Sequence, residues 1–547
     1  MDKFVANIKK NRKIYAALFL ILLFGMYLRV YHIDYPTIGY HNWKESHYLA
    51  ESRNFAEDGF FNHGFFVPEW DALRSFDDPT GAHSDTFPVI SILIAIAFKI
   101  FGPHLWVARL VGIIFSLGTV LMMFLLSREL FKRDDIAIIA AALTAINPLF
   151  VFFSHNVQLI NPGVFFMLSS AYFYVRWRDS DKNSHLISTA VFLSLAGLTK
   201  YTFLVIAIPF ALTFPYKKLL KLNKSQIKAY SASFAAMLTI PAWFLYSKTI
   251  VQAEGTALAI GEMNIWAFLT PGWWKSVWPF LSDNYTVIGF WFAIAGIVML
   301  VTFYNSNKKF AELFLLSYSA ALIPFIMIMS NKLKGHSYHQ FPIAPIIILT
   351  MSYFIMVVSQ TSIGLFKVKA EKKEILKWIV ILVLFIVLLS PSMDAKNKQF
   401  DTQFFGLDIA GDYIRENSEV NEKVIFSGGQ SFGFLWNADR KAYYSTDLKL
   451  DILKEAEENG VRWIFMYHWG FKSMQNSELH QYLGENYNLR QMAYLSQGKD
   501  NAVYYIVLEK GEGGFSMDSL QSWTDGKELR YKDYDSTSGK IKLYYVN

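Results

Sequence analysis

Residues 9–31 read KKNRKIYAALFLILLFGMYLRVY, and this stretch decides the fold class. Its apolar run has the length of a helix that crosses hydrocarbon, about 17–25 residues. Lys9, Lys10, Arg12 and Lys13 stand ahead of it, which puts the N-terminal end in the cytoplasm by the positive-inside rule. No small-residue cleavage site follows, so the run reads as an anchor and not as a removed signal. Ten further stretches of the same kind lie at 105–126, 135–152, 162–177, 185–199, 201–215, 230–250, 286–304, 311–329, 339–358 and 376–391.

Counting outward from the first span gives one consistent topology. Lys132 and Arg133, Arg176 and Arg178, Lys217 and Lys218, Lys308 and Lys309, and Lys372 and Lys373 all fall in loops that the count makes cytoplasmic. The reading is a polytopic all-α membrane domain of about 11 transmembrane helices over residues 1–391, in the plasma membrane. The same count makes 32–104 a large outer loop and 392–547 an extracytoplasmic tail. In that tail, strands at 423–426, 461–467 and 502–508 alternate with helices at 404–415 and 450–458, and a hairpin surrounds Gly539. Alternation of this kind predicts an α/β Rossmann-like domain. No GxGxxG follows its first strand, which argues against a dinucleotide. The chain has no cysteine, so no disulfide argument arises. The net charge of +7 sits largely at membrane edges and gives no case for nucleic acid.

The first outer loop is too long and too rich in Trp, His and carboxylates to be a connector. Asn42 to Arg53 reads as a short amphipathic helix, with Leu49, Arg53 and Ala56 at helical spacing. Val89 to Phe101 is apolar but short, as in a helix lying at the interface. Basic residues also break the charge rule on the outer side. Lys200 lies in an outer turn, Lys332 and Lys334 lie before the span at 339–358, and Arg109 stands at an outer helix start. Such cations can neutralise a phosphate held at the membrane surface. Asn156 and Asn161 add uncharged donors. Residues 335–345, GHSYHQFPIAP, place His336, Tyr338 and His339 directly before two prolines in an apolar helix. Two histidines are too few for a metal centre, and no Asp-rich metal motif is visible, so no metal or cofactor is expected.

On these features the chain resembles the GT-C polytopic glycosyltransferases, in the branch of protein O-mannosyltransferases and lipid A aminoarabinose transferases. The resemblance rests on the large first loop, Phe101-Gly102 followed by Ala108-Arg109-Leu110, Gly197-Leu198-Thr199-Lys200, and Tyr338, Pro342 and Pro345. It implies transfer of a sugar from a polyprenyl-phosphate donor, at the outer face, to a protein, lipid or glycan. Glu45, Tyr48 and Arg53 match the family's first-loop helix, whereas Lys44 occupies the position of its usual Asp. Asn161 stands where an acidic residue is common.

Transfer chemistry needs a base for the acceptor and cations for the leaving phosphate. Glu45 is the expected base, with Asp78 and Asp85 as competitors and Asp71 and Asp77 further off. Lys200, His336, Tyr338, His339, Arg109 and Lys44 form the expected phosphate group. Trp43, Tyr48, Arg53, Asn156 and Asn161 are expected on the substrate, with Trp43 or Trp70 stacking on a sugar. A transporter or lipid-handling protein is the main alternative. An inactive relative acting through its tail is another, prompted by Lys44.

Overall fold

The computed structural model describes residues 11–84, 86–250, 264–303, 310–364, 369–497, 500–520 and 522–547. Asp85, Lys9, Lys10, Lys308 and Lys309 therefore lie outside the described residues. Five helices are long and apolar enough to cross a membrane: Arg12–Val30, Leu105–Phe131, Phe310–Gly335, Ser337–Gly364 and Lys372–Phe400. Two bent pairs raise the number to seven among the described residues. Asp134–Ile146 meets Pro148–His155 at 50°, and Pro271–Tyr285 meets Val287–Thr302 at 94°. Each bend is a helix restart with its own cap. Asn147 accepts from the Phe150 amide at 3.3 Å, and Thr286 from the Gly289 amide at 3.0 Å.

The other expected spans are helical but fall short of that length and composition. Ile160–Ser180 carries Asn161, Ser169, Ser170 and Arg176, Asn183–Thr199 has only 17 residues, and 201–213 starts as a 3-10 turn. The stretch at 230–250 is divided between Lys224–Met237 and Thr239–Ile250. Among the described residues the eleven apolar runs thus give five to seven helices of spanning length, because apolar composition does not reveal where a helix breaks.

Buried Arg29 ties the first helix into the bundle. It donates to the Ser116 hydroxyl at 2.8 Å and to the Ala145 carbonyl at 2.9 Å. Both loop helices form as expected, over Asn42–Asp58 and Val89–Phe101. Tyr48, Leu49, Ile90, Ile94 and Phe98 belong to the main apolar core, so the loop is packed onto the bundle.

Residues after the long helix Ala370–Phe400 supply seven strands of an eight-stranded sheet. Its strands are β1 (Ala72–Leu73), β2 (Lys423–Ser427), β3 (Ala442–Ser445), β4 (Val461–Tyr467), β5 (Tyr487–Gln497), β6 (Asp500–Lys510), β7 (Arg530–Ser536) and β8 (Gly539–Val546). The order is β1-β3-β2-β4-β6-β5-β8-β7. The first four strands are parallel and the other four pair antiparallel. The α/β alternation seen in the sequence is confined to β2–β4, and β5–β8 form an antiparallel extension. Apolar clusters cover both faces. Strand β1 comes from the first loop, so that loop is stitched into the C-terminal sheet.

Candidate active site

Lys200 follows the helix Asn183–Thr199, in extended backbone where that helix stops. Its ammonium lies 3.3 Å from His339 Nδ1 and 5.0 Å from the centre of the Tyr338 ring. His339 and Tyr338 lie in the 3-10 turn Ser337–Ile343, which the two prolines hold short of an α-helix. His336 stacks on Tyr338 at 5.3 Å and faces Trp43 at 5.8 Å. Lys44 stands 4.1 Å over the Trp43 ring. The expected phosphate group Lys200, His336, Tyr338, His339 and Lys44 therefore does converge, with Trp43 beside it.

Positive charges act on one another in this cluster. Burial, then the charges of Lys44 and Lys332, pulls the Lys200 ammonium down to about 7. Burial, then Lys44, Lys200 and Lys332, lowers His336 to about 4. Among the described residues no carboxylate pairs with Lys200. A buried ammonium among other cations, with no carboxylate pairing with it among the described residues, suits an anion.

Glu45 and Arg109 behave differently from the expectation that they act apart. Arg109 Nε donates to Glu45 Oε1 at 2.9 Å, and both side chains are buried. Arg109 Nη1 also donates to the carbonyls of His32, Ile33 and Tyr35. Arg109 thus fixes the turn after the first helix and leaves the phosphate group. The pair borders a small cleft lined by Tyr35, Tyr40, Phe152, His155 and Asn156 among others. Tyr40 and His41 separate this cleft from the cation cluster, since the His41 ring lies 5.4 Å from His336 and 5.1 Å from Tyr338.

The remaining expected residues are spread out. Asp78 closes its own turn, accepting from the amides of Thr80 at 3.2 Å and Gly81 at 2.8 Å. Arg53 pairs with Asp71 at 2.7 Å and with Asp439 at 2.9 Å, so it clasps the loop helix to the C-terminal domain. Asp71 is thereby occupied. Asn156 donates to the Tyr40 carbonyl at 3.3 Å on the cleft wall. Asn161 donates to the Phe153 carbonyl at 2.6 Å inside the bundle. Tyr48 is buried in the core, with Lys44 at 5.9 Å from its ring.

Two features escaped the sequence reading. His41 caps the loop helix with a positive φ of 62° and approaches Ser337 Oγ at 3.4 Å. Burial, then His336 and Lys44, holds it well below the usual histidine range, as an uncharged ring. The second is a buried group of His47, Glu51 and His83. The spacing of His47 and Glu51, four apart on one helix, was the available signal.

Residues 82–245 match a family described as dolichyl-phosphate-mannose-protein mannosyltransferase. No curated protein matches the chain. Among solved structures, an archaeal oligosaccharyltransferase, AglB from Archaeoglobus fulgidus, in complex with an inhibitory peptide and a dolichol-phosphate, is similar. It shares 14% identity at a TM-score of 0.57, covering 91% of this chain and 74% of that one. ArnT from Cupriavidus metallidurans, bound to undecaprenyl phosphate, gives 14% identity, a TM-score of 0.54 and coverage of 89% and 97%. The arabinofuranosyltransferase AftD from Mycobacteria gives 11% identity and a TM-score of 0.52, over 96% of this chain and 41% of that one. With its interrupted apolar bundle, a first loop carrying two helices and a C-terminal domain, this chain is similar in fold to these membrane glycosyltransferases.

Proposed function

We propose that this protein moves a sugar from a polyprenyl-phosphate-linked donor to an acceptor of the cell envelope, a protein, lipid or glycan, at the outer face of the plasma membrane. The observation that carries the reading is the convergence of Lys200, His339, His336 and Lys44 at helix ends beside the loop helix. A half-buried lysine without a carboxylate partner among the described residues suits a phosphate brought in by a lipid. The Trp43 and His336 rings beside it offer flat faces to a sugar. The similar proteins whose structures hold dolichol-phosphate or undecaprenyl phosphate support the same choice of donor.

In the reaction the bond from the anomeric carbon to the phosphate oxygen breaks, and the acceptor heteroatom forms the new bond. The electron pair leaves on the phosphate, where Lys200, Lys44 and the His336–His339 turn stabilise it. The acceptor proton goes to a base. Glu45 fills that role in this proposal. Its Oε1 is held by Arg109, and among the described residues its Oε2 takes no hydrogen bond at the cleft edge. The eleven-span topology with an outer C-terminal domain is part of the proposal, as is the absence of a cofactor in the transfer itself.

The test is to incubate the protein in nanodiscs with a panel of polyprenyl-phosphate sugars and an envelope extract. Released polyprenyl phosphate is read by mass spectrometry. Release from one donor, lost in Lys200→Ala, is the expected result. Movement of intact donor between leaflets without release would favour a lipid-handling protein.

A further inference from the structure

The geometry points to a divalent transition-metal site of the zinc class in the first loop, held by His47 Nε2, Glu51 Oε1 and His83 Nε2. The inference stands apart from the transfer reaction. His47 and Glu51 are four apart on Asn42–Asp58 and so share a face. His83 arrives from an extended segment whose backbone is pinned. The Trp70 amide donates to the Gly81 carbonyl and the His83 amide to the Pro68 carbonyl, each at 3.0 Å. Gly81 has a φ of +74°, and a Cβ there would sit 2.1 Å from the Trp70 carbonyl oxygen, so glycine is what lets the segment close.

The three ligand atoms form a nearly equilateral triangle. His47 Nε2 lies 2.7 Å from Glu51 Oε1 and 2.9 Å from His83 Nε2, and His83 Nε2 lies 3.0 Å from Glu51 Oε1. Hydrogen bonds do not satisfy all three edges of a neutral pair of rings. His83 Nδ1 is 3.2 Å from the Gly81 carbonyl, which only accepts, so the ring proton belongs on Nδ1. The His83 Nε2 lone pair then faces the Glu51 oxygen and the His47 nitrogen. A proton on His47 Nε2 serves one of those contacts and leaves another repulsive. A cation above the triangle turns all three into ligand bonds. Ligand atoms around tetrahedral zinc, with bonds of about 2.0–2.1 Å, stand about 3.3 Å apart. Opening the triangle by a few tenths of an ångström admits the ion.

The surroundings are those of a built site. The Gly81 carbonyl orients one imidazole, and the Ser91 hydroxyl donates to the other oxygen of Glu51. Trp70 stacks on His47 at 4.3 Å and 13°. All three ligands are buried. Ser91 belongs to Val89–Phe101, so the ion fastens the 81–83 segment, that helix and the loop helix together. The same loop helix carries Trp43 and Lys44 about one turn before His47. The site is a clip that positions the loop, with an open fourth position for water.

The test uses the full chain purified in detergent without chelators. Elemental mass spectrometry should find about one zinc per chain, and His83→Ala should hold less than about a tenth of that. His83→Ala is open to misfolding, so the wild-type protein gives a second readout. Stripping with phenanthroline should lower the melting temperature. Reloading with Co2+ should restore it and bring the visible absorption of a tetrahedral cobalt centre. Ser91→Ala should weaken Co2+ binding about 10–100-fold. Wild-type protein that carries no metal, takes up no Co2+ and melts unchanged after phenanthroline would leave only a proton-bridged triad. Metal retained at full occupancy in His83→Ala would equally overturn the assignment.

Discussion

Neutralising Glu45 separates a base from a structural anchor, and the structure sets the size of the effect. In Glu45→Gln the side chain keeps its reach, but Arg109 loses a buried partner at 2.9 Å. Breaking a buried pair by removing one charge costs about 3–5 kcal/mol. Three carbonyls from 32–35 still surround the guanidinium, so the loss should fall at the low end, about 3 kcal/mol. Arg109→Met removes the pair and also strips those carbonyls of their donor, so it should cost about 5 kcal/mol. The double variant should be less damaged than the sum, with a coupling of about 1–3 kcal/mol. Unfolding by SDS titration in mixed micelles measures all three. Turnover is then taken per folded molecule. If Glu45 is the base, Glu45→Gln should lose about 10²–10⁴-fold in turnover while still binding donor. Turnover that follows only the folded fraction would refute the catalytic role. Stability within about 0.5 kcal/mol of wild type in both single variants would refute the anchoring pair.

The pH dependence of donor binding should report Lys200. Its ammonium lies near 7 in the free protein and a bound phosphate favours the charged form, so affinity should fall as pH rises above 7, by up to about tenfold per unit. A phosphodiester donor does not titrate in this range, and Lys200→Arg should flatten the curve. Arg53→Ala should release the C-terminal domain from the loop helix, because it removes ion pairs to Asp71 and Asp439 at once. Limited proteolysis should then cut the chain faster near 401–406. Gly433→Ala should do the same more severely. A Cβ there would meet the Thr37 carbonyl oxygen at 1.9 Å, at the junction where Asn42 also bonds the Gln430 carbonyl. Unchanged proteolysis in both variants would mean that the domain is held elsewhere.

Local pattern carried much of this into view from the sequence. Helix period and short length were enough for Asn42–Asp58 and Val89–Phe101, and proline placement marked the turn that bears His339. The meeting of Lys200 with His339 was legible because each broke a rule of its neighbourhood, a cation or an imidazole at an apolar helix end. Pairings across long loops were not legible. Glu45 meets Arg109 across 64 residues, and Arg53 reaches into the C-terminal domain. Nothing in residue type separates a carboxylate that binds acceptor from one that locks a guanidinium. Strand β1 has two residues and no alternation to read, so its place in the sheet depends on tertiary contact alone. The helix break at Asn147 hides inside the apolar run 135–152 for the same reason.

The central claim is that the cations around Lys200 hold a lipid-borne phosphate. Titration of purified protein with undecaprenyl phosphate and with undecaprenol, read by native mass spectrometry, tests it most directly. Wild-type protein should bind the phosphate well above the alcohol. Lys200→Ala and His339→Ala should each lose that preference, by about 2–5 kcal/mol of phosphate affinity, while remaining folded. Equal binding of phosphate and alcohol by the wild type, or an unchanged preference in both variants, would contradict the account.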